Sequence, residues 1–171
     1  TRNEISISDS EFVFLSVGAM TGNKGIDLLL RGFAEICWKF PNARLILKGM
    51  DHLYDSGDFL RKNLQTLSPR NQQRVIDRMT YLGDPLSHQD MARLYQAADV
   101  YISPYRAEGF NIPVLEAAAC GLPVICTAGG STDDFVVDEF AWRISSTRSQ
   151  IPIDGQNASR LNPNLEHMIA L

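Results

Sequence analysis

Residues 103–127, SPYRAEGFNIPVLEAAACGLPVICT, decide the fold. The apolar run 100–102 enters this stretch as a strand, and a loop follows. A helix then opens with Pro113 in its first turn, where a missing N–H costs nothing. Gly121 ends that helix, and the apolar run 123–126 follows almost at once as a second strand. Strand, loop, helix, strand is a βαβ unit, and ligands in open α/β sheets sit beyond the carboxyl ends of the strands. The loop at that end holds Glu108, Gly109, Phe110 and Asn111, and Glu116 is expected in the first helical turn. Two carboxylates with seven residues between them bracket a helix N-terminus whose free N–H groups favour anions. Such a site suits a ligand carrying both hydroxyls and phosphates. Each feature alone has a plainer reading: an acid in a first turn complements the helix dipole, and Pro113 and Gly121 are routine helix punctuation.

Upstream, residues 12–17 (FVFLSV) form a continuous apolar run of strand length, as expected of a strand covered on both faces of a parallel sheet. It empties into residues 18–25, which carry three glycines and Lys24. Ile26, Leu29, Leu30, Phe33, Ile36, Cys37 and Phe40 then recur at helical spacing, until Pro41 and Asn42 stop the helix. Residues 43–48 (ARLILK) read as the next strand, so the chain opens as βαβ with a right-handed crossover. Residues 59–67 and 72–79 read as helices, and 80–82 as a short strand. Ser87 and Asp90 make a capping-box pattern before a helix whose buried stripe is Met91, Leu94, Tyr95 and Ala98.

Beyond the central stretch, Gly129–Gly130–Ser131–Thr132 reads as a second strand-to-helix turn facing the same crevice. Residues 140–144 read as the last strand, 145–162 are polar with no assigned structure, and 165–171 begin a helical pattern. Alternating strands and helices predict an α/β fold: a doubly wound, mainly parallel sheet with helices on both faces.

The length of 171 residues suits one domain with a sizeable core. A net charge of −4 gives no electrostatic case for nucleic acid or an acidic membrane as main partner. Cys37, Cys120 and Cys126 are odd in number, widely spaced and set among apolar neighbours. They read as buried thiols in a reducing, cytoplasmic setting. Glu116, Gly121 and Pro123 break the longest apolar runs, so none is expected to span a bilayer, and no signal peptide is expected. Residues 1–11 are polar and aperiodic, like an interdomain linker, and the pattern over 165–171 is unfinished. A fragment of something longer is the expectation, with its domain at 12–171.

Lys24 falls near the carboxyl edge of the sheet, either as a solvated surface lysine or as a point charge for a phosphate. No GxGxxG or P-loop pattern is present, and no Asp-x-Asp pair of the kind that holds a metal-bound diphosphate. A diphosphate would therefore be met by Lys24, helix N-termini and Arg106, without an obligatory divalent ion or other cofactor. His52, His88 and His167 are isolated, and no Ser or Cys has an evident base partner.

The stretch EGFNIPVLEAAACGLPVICT resembles the signature of glycosyltransferase family 4, the retaining enzymes of the GT-B fold. SVGAMTGNKGIDLLLRGF, ARLILKG, YLGDPLSHQDMARLYQAADVYISPY and GGSTDDFV extend the likeness over roughly residues 12–144. The resemblance implies two Rossmann-like halves facing across a cleft, of which this chain is the C-terminal, donor-binding half. It places Glu108 beside the donor sugar and Glu116 on the ribose hydroxyls. It gives the backbone N–H groups of Gly109, Phe110, Asn111 and Ile112 to sugar and phosphate, and the diphosphate to Lys24. Gly18 matches the first-turn glycine, and Asp133 stands where the family often has Glu. Ala19 departs from the family's usual arginine, removing a bidentate phosphate donor that a lysine does not replace.

The implied partners are a nucleotide-diphosphate sugar and an acceptor glycan or lipid-linked saccharide brought by the absent N-terminal half. Peripheral membrane association of the whole enzyme is compatible with that acceptor. The implied reaction is hexosyl transfer with retention at the anomeric carbon, the donor's own phosphate helping to deprotonate the acceptor. An isolated fragment would bind donor but transfer little. Two alternatives stay open: a sugar-nucleotide-binding module that has lost catalysis, for which Ala19 is the motive, and a generic nucleotide-binding regulatory domain.

Overall fold

The computed structural model describes Arg2, residues 7–153 and residues 156–171. Its centre is β1 (Phe12–Val17), with Val13 and Leu15 fully buried on one face. The other face carries buried Ser16, half-buried Phe14 and, at the amino-terminal edge, Phe12, which is exposed where a strand covered on both faces is expected to be enclosed. Around it lie β2 (Ala43–Lys48), β3 (Met79–Leu82), β4 (Val100–Ser103), β5 (Val124–Thr127) and β6 (Ala141–Ile144). The sheet has six strands in the order β3-β2-β1-β4-β5-β6, and every pairing is parallel. The chain winds outward from β1 to β3, returns beside β1 at β4, and then winds the other way. The crevice between the β1 and β4 carboxyl ends is thus the topological switch point, where such sheets take their ligands.

Helices α1 (Ile26–Lys39), α2 (Ser56–Leu64), α3 (Pro69–Arg78) and α6 (Leu165–Ala170) pack on one face. The other face carries α4 (His88–Ala97) and α5 (Ile112–Ala119). Ser68 caps α3 by accepting from the Asn71 N–H at 3.4 Å, with Pro69 in the first turn. Ser87 caps α4, accepting from the Asp90 N–H at 3.1 Å. The Asp90 carboxylate takes the Ser87 hydroxyl at 2.6 Å rather than reaching back to backbone, so only half of the capping box forms.

Four expectations shift. Phe40 is 54% exposed and lies past the end of α1, so the buried stripe stops short of it. Both α2 and α3 begin earlier than expected, at Ser56 and Pro69. In α3 the Ser68 cap and Pro69 precede the apolar periodicity, and α2, whose Asp55 makes no side-chain cap bond, also ends earlier, at Leu64. Glu116 is the fifth residue of α5, beyond the first turn, which holds no acid. Finally, residues 145–162 are not irregular: β7 (Ser146–Ile153) and β8 (Gln156–Pro163) pair as an antiparallel hairpin outside the main sheet, so β6 is not the last strand.

Of residues 1–11, those described run along the amino-terminal edge of the sheet. The Arg2 guanidinium meets Asp99 at 2.8 Å and the Ala97 carbonyl at 2.9 Å, and Ile7 is buried beneath α4 and α5. The cysteines are free thiols, Cys126 buried and Cys37 and Cys120 half-buried. Burial pushes the Cys37 thiol up to about 11, against the smaller pull of Arg78 and Arg74, and so keeps it protonated.

Candidate functional site

The site begins where β1 ends. Gly18 turns the chain at φ 140, and a Cβ there would come within 2.7 Å of Lys24 Cε. Glycine leaves the path that the lysine side chain follows across the turn. A single 3-10 turn (Gly22–Lys24) then leads to Gly25, whose φ of 68 ends the turn and opens α1. A Cβ on Gly25 would overlap the Pro104 carbonyl, so the loop after β4 lies directly against this turn.

That contact is locked by side chains. Arg106 grips Asp27 through both terminal nitrogens, at 2.5 and 2.7 Å, and donates to the Gly22 carbonyl at 3.2 Å. Burial alone would raise the Asp27 carboxyl, but the hydrogen bonds and charge of Arg106 outweigh it and hold the group below its ordinary range. Arg106 is therefore a clamp between loops, and the free phosphate donor expected of it is not what the geometry offers.

With the loops clamped, Lys24 Nζ and Glu108 Oε1 stand 2.8 Å apart, each side chain only 16% exposed. The two expected key residues thus share one side of one crevice. Next to them Asn111 adopts the left-handed conformation at φ 64, the only non-glycine to do so among the described residues. Asparagine tolerates this region better than most residues. The side chain is buried and donates to the Ser103 hydroxyl at 3.0 Å, while its Oδ1 has no partner. Asn111 thereby aims the start of α5, whose first N–H groups have no intrahelical acceptor. Ile112 and Phe110 are exposed at the rim, and Phe110 stacks on Phe135 with ring centroids 5.0 Å apart.

Glu116 projects from the second turn of α5, where the helix dipole no longer explains an acid. Its Oε2 accepts from the Tyr95 hydroxyl at 2.8 Å. Tyr95 is buried on α4, and burial, Tyr101 and Glu116 together push its hydroxyl pKa upward, so it remains a donor. The sequence marks Tyr95 only as part of an apolar stripe; its hydroxyl gives no periodic signal.

The turn after β5 completes the rim. Asp133 accepts from the Gly129 N–H at 2.8 Å and lies 3.6 Å from Arg143, so it stabilises its own turn. Gly130 makes room for Tyr105, whose hydroxyl meets Thr132 Oγ1 at 2.9 Å. The unforeseen hairpin braces both loops. Ser146 and Arg148 bond the carbonyls of Ala128 and Gly129, each at 2.6 Å, and the Leu161 N–H reaches the Arg106 carbonyl at 2.8 Å.

Chemically, the crevice offers one lysine and a helix N-terminus to an anion, with carboxylate acceptors at Glu108 and Glu116 for hydroxyl groups. Among the described residues no three His, Cys, Asp or Glu side chains converge as a metal site, and no helix is long and apolar enough to cross a membrane. An apolar groove of about 730 Å³ opens at the amino-terminal edge, lined by Phe12, Phe40, Trp142 and Leu171 among others, remote from this site.

The family described as Glycosyl transferases group 1 matches residues 1–154 of this chain. The chain belongs to that family. An uncharacterised glycosyltransferase of Methanocaldococcus jannaschii is 33% identical over 138 residues, covering 81% of this chain and 33% of that protein. A D-inositol 3-phosphate glycosyltransferase of a Mycobacterium species is 33% identical over 129 residues, covering 75% of this chain and 27% of the relative. Among solved structures, the sucrose-phosphate synthase of Thermosynechococcus elongatus superimposes with a TM-score of 0.69 at 28% identity, over 84% of this chain and 35% of that one. This glycosyl transferase domain thus spans roughly a quarter to a third of such relatives.

Proposed function

We propose that this domain binds the nucleotide-diphosphate sugar of a retaining, family 4 glycosyltransferase, as the C-terminal half of a GT-B enzyme. On this reading residues 1–11 link it to an acceptor-binding half. The observation that supports it best is the 2.8 Å approach of Lys24 to Glu108 at the switch point of the sheet. Lys24 and the N–H groups from Gly109 to Ile112 take the diphosphate, Glu108 lies beside the sugar, and Glu116, steadied by Tyr95, accepts from the ribose hydroxyls. Gly18 and Asn111 keep their turns in the shapes this requires, and Asp133 supports the rim.

As the glycosidic C–O bond breaks, negative charge grows on the leaving diphosphate, and a cation and dipoles already in place stabilise it without reorganisation. The acceptor oxygen attacks on the face the diphosphate leaves, and its proton passes to the donor phosphate, so no covalent enzyme nucleophile is needed. The acceptor, a glycan or lipid-linked saccharide, is brought by the other half, with the whole enzyme cytoplasmic or peripheral to a membrane. The charge set needs no obligatory metal.

A second reading, a module of the same fold with impaired catalysis, is favoured by Ala19 together with the commitment of Arg106 to Asp27. Transfer or hydrolysis of a sugar nucleotide by the full-length protein separates the two. The enzyme reading expects turnover that falls steeply in Lys24→Ala and in Glu108→Ala. Donor binding with no turnover under any acceptor would leave the module.

A further inference from the structure

Lys48 closes β2 and is 4% exposed, although lysine is among the residues least often enclosed by a fold. Its ammonium donates to the carbonyl of Gly49, and among the described residues it forms no ion pair with a carboxylate. Asp51, nearby in sequence, is occupied by the Tyr81 hydroxyl and the Gly57 N–H. A buried cation with three donors and one neutral acceptor is costly. Burial accordingly lowers the tendency of this amine to hold its proton, against the weaker opposing pull of Asp51 and Asp84. Packing alone would be served as well by methionine, so the fold gives no reason for the charge.

The position gives one. Lys48 is in register with Val17, the last residue of β1, and its carbonyl accepts the Gly18 N–H at 2.9 Å. It therefore flanks the Gly18 turn from the β2 side, as Lys24 does from the α1 side. Alternation along β2 puts it on the face of Ile46, in the layer that holds Tyr95 and carries Glu116. Ala19 brings no charge to this turn, and Arg106 is spent on Asp27.

We infer that Lys48 is a second cationic ligand of the nucleotide diphosphate, its ammonium passing from the Gly49 carbonyl to a phosphate oxygen when the nucleotide arrives. This rests on the nucleotide-sugar reading above and adds a residue to it. The buried charge is kept at a cost to the fold, and a bound diphosphate would give it a partner.

Isothermal titration of the full-length protein with UDP, GDP and ADP, each beside its nucleoside, tests the inference. Lys48→Met should weaken the diphosphate that binds best by about tenfold or more. It should leave the nucleoside within about twofold and leave the melting temperature without ligand unchanged or higher, since an apolar side chain then replaces a buried charge. Should Lys48→Met fail to fold, Lys48→Gln keeps a donor for Gly49 without the charge and should show the same selective loss. Unchanged diphosphate affinity overturns the inference. So does an equal loss for the nucleoside, which would make Lys48 a reader of the base, and so does a lower melting temperature with intact binding, which would make it structural. If the unaltered protein binds none of the three diphosphates, it is the donor-site reading that fails, and this inference falls with it.

Discussion

The ion pairs Arg106–Asp27 and Lys24–Glu108 join the same two loops within a few residues of each other, yet they are built differently. Arg106 holds Asp27 with two short contacts and a third to the Gly22 carbonyl. A planar guanidinium fork fixes orientation as well as distance. Asp27 also sits in the first turn of α1, where its charge suits the helix dipole. Lys24 meets Glu108 through one 2.8 Å contact. A lysine is a point charge on a flexible stem and exchanges partners readily. On the proposed reading the difference separates two tasks: the first pair sets the spacing of the loops, and the second is the one a ligand would exchange with.

Four substitutions test whether the tasks divide in this way. Lys24→Ala should lower sugar transfer by about 10²–10³-fold, the loss typical of removing one preorganised stabiliser of transition-state charge, with a modest change in melting temperature. If it unfolds the domain more than Arg106→Leu does, the division is wrong. Arg106→Leu should cost about 2–3 kcal/mol in denaturant unfolding, less than a fully enclosed pair because Asp27 is partly exposed.

The same pair carries a pH signature. The Asp27 carboxyl is held below its unfolded value, so its stabilisation is present above about pH 3.9 and is lost as pH falls through the folded value. Thermal melts between neutral and strongly acid pH should show Arg106→Leu losing less stability in acid than the parent. An identical acid limb in both proteins would remove Asp27 from the account.

Leu161→Ala should cost about 2 kcal/mol by opening a cavity. It should also slacken the loop that carries both pairs, since Leu161 packs near Gly130 and its N–H holds the Arg106 carbonyl. A loss of stability without any loss of nucleotide affinity would show that the hairpin does not brace the site. The smallest effect is expected of Tyr95→Phe, which removes one hydrogen bond to Glu116 worth about 1 kcal/mol. Donor binding should weaken about fivefold with the fold intact, and unaltered affinity would make that bond incidental.

What the sequence revealed and what it hid follow the range of the forces involved. β1, β2 and α5 are legible because apolar runs and the Pro113 and Gly121 punctuation act within a few residues. Lys24 and Glu108 are legible as candidate site residues through the resemblance, although their mutual contact is a product of the fold. The Arg106–Asp27 clamp joins positions 79 residues apart, and nothing local in either residue announces it. Tyr95 reads as apolar because its ring is, and only the approach of α5 gives its hydroxyl a partner. The hairpin was hidden by its polar composition. Its signals are the dipeptide Asp154–Gly155, a turn former, and near-equal flanking segments, which pattern by pairing rather than by hydrophobicity.

The central claim is that Lys24 and Glu108 form one exchangeable pair at a nucleotide-sugar site. It is tested most directly by titrating the full-length protein, Lys24→Ala and Glu108→Gln with UDP-, GDP- and ADP-sugars beside the matching nucleoside diphosphates. The account predicts that one sugar nucleotide binds, that Lys24→Ala weakens both it and its diphosphate, and that Glu108→Gln weakens the sugar nucleotide more than the diphosphate. Equal binding of the sugar nucleotide by all three proteins would contradict it.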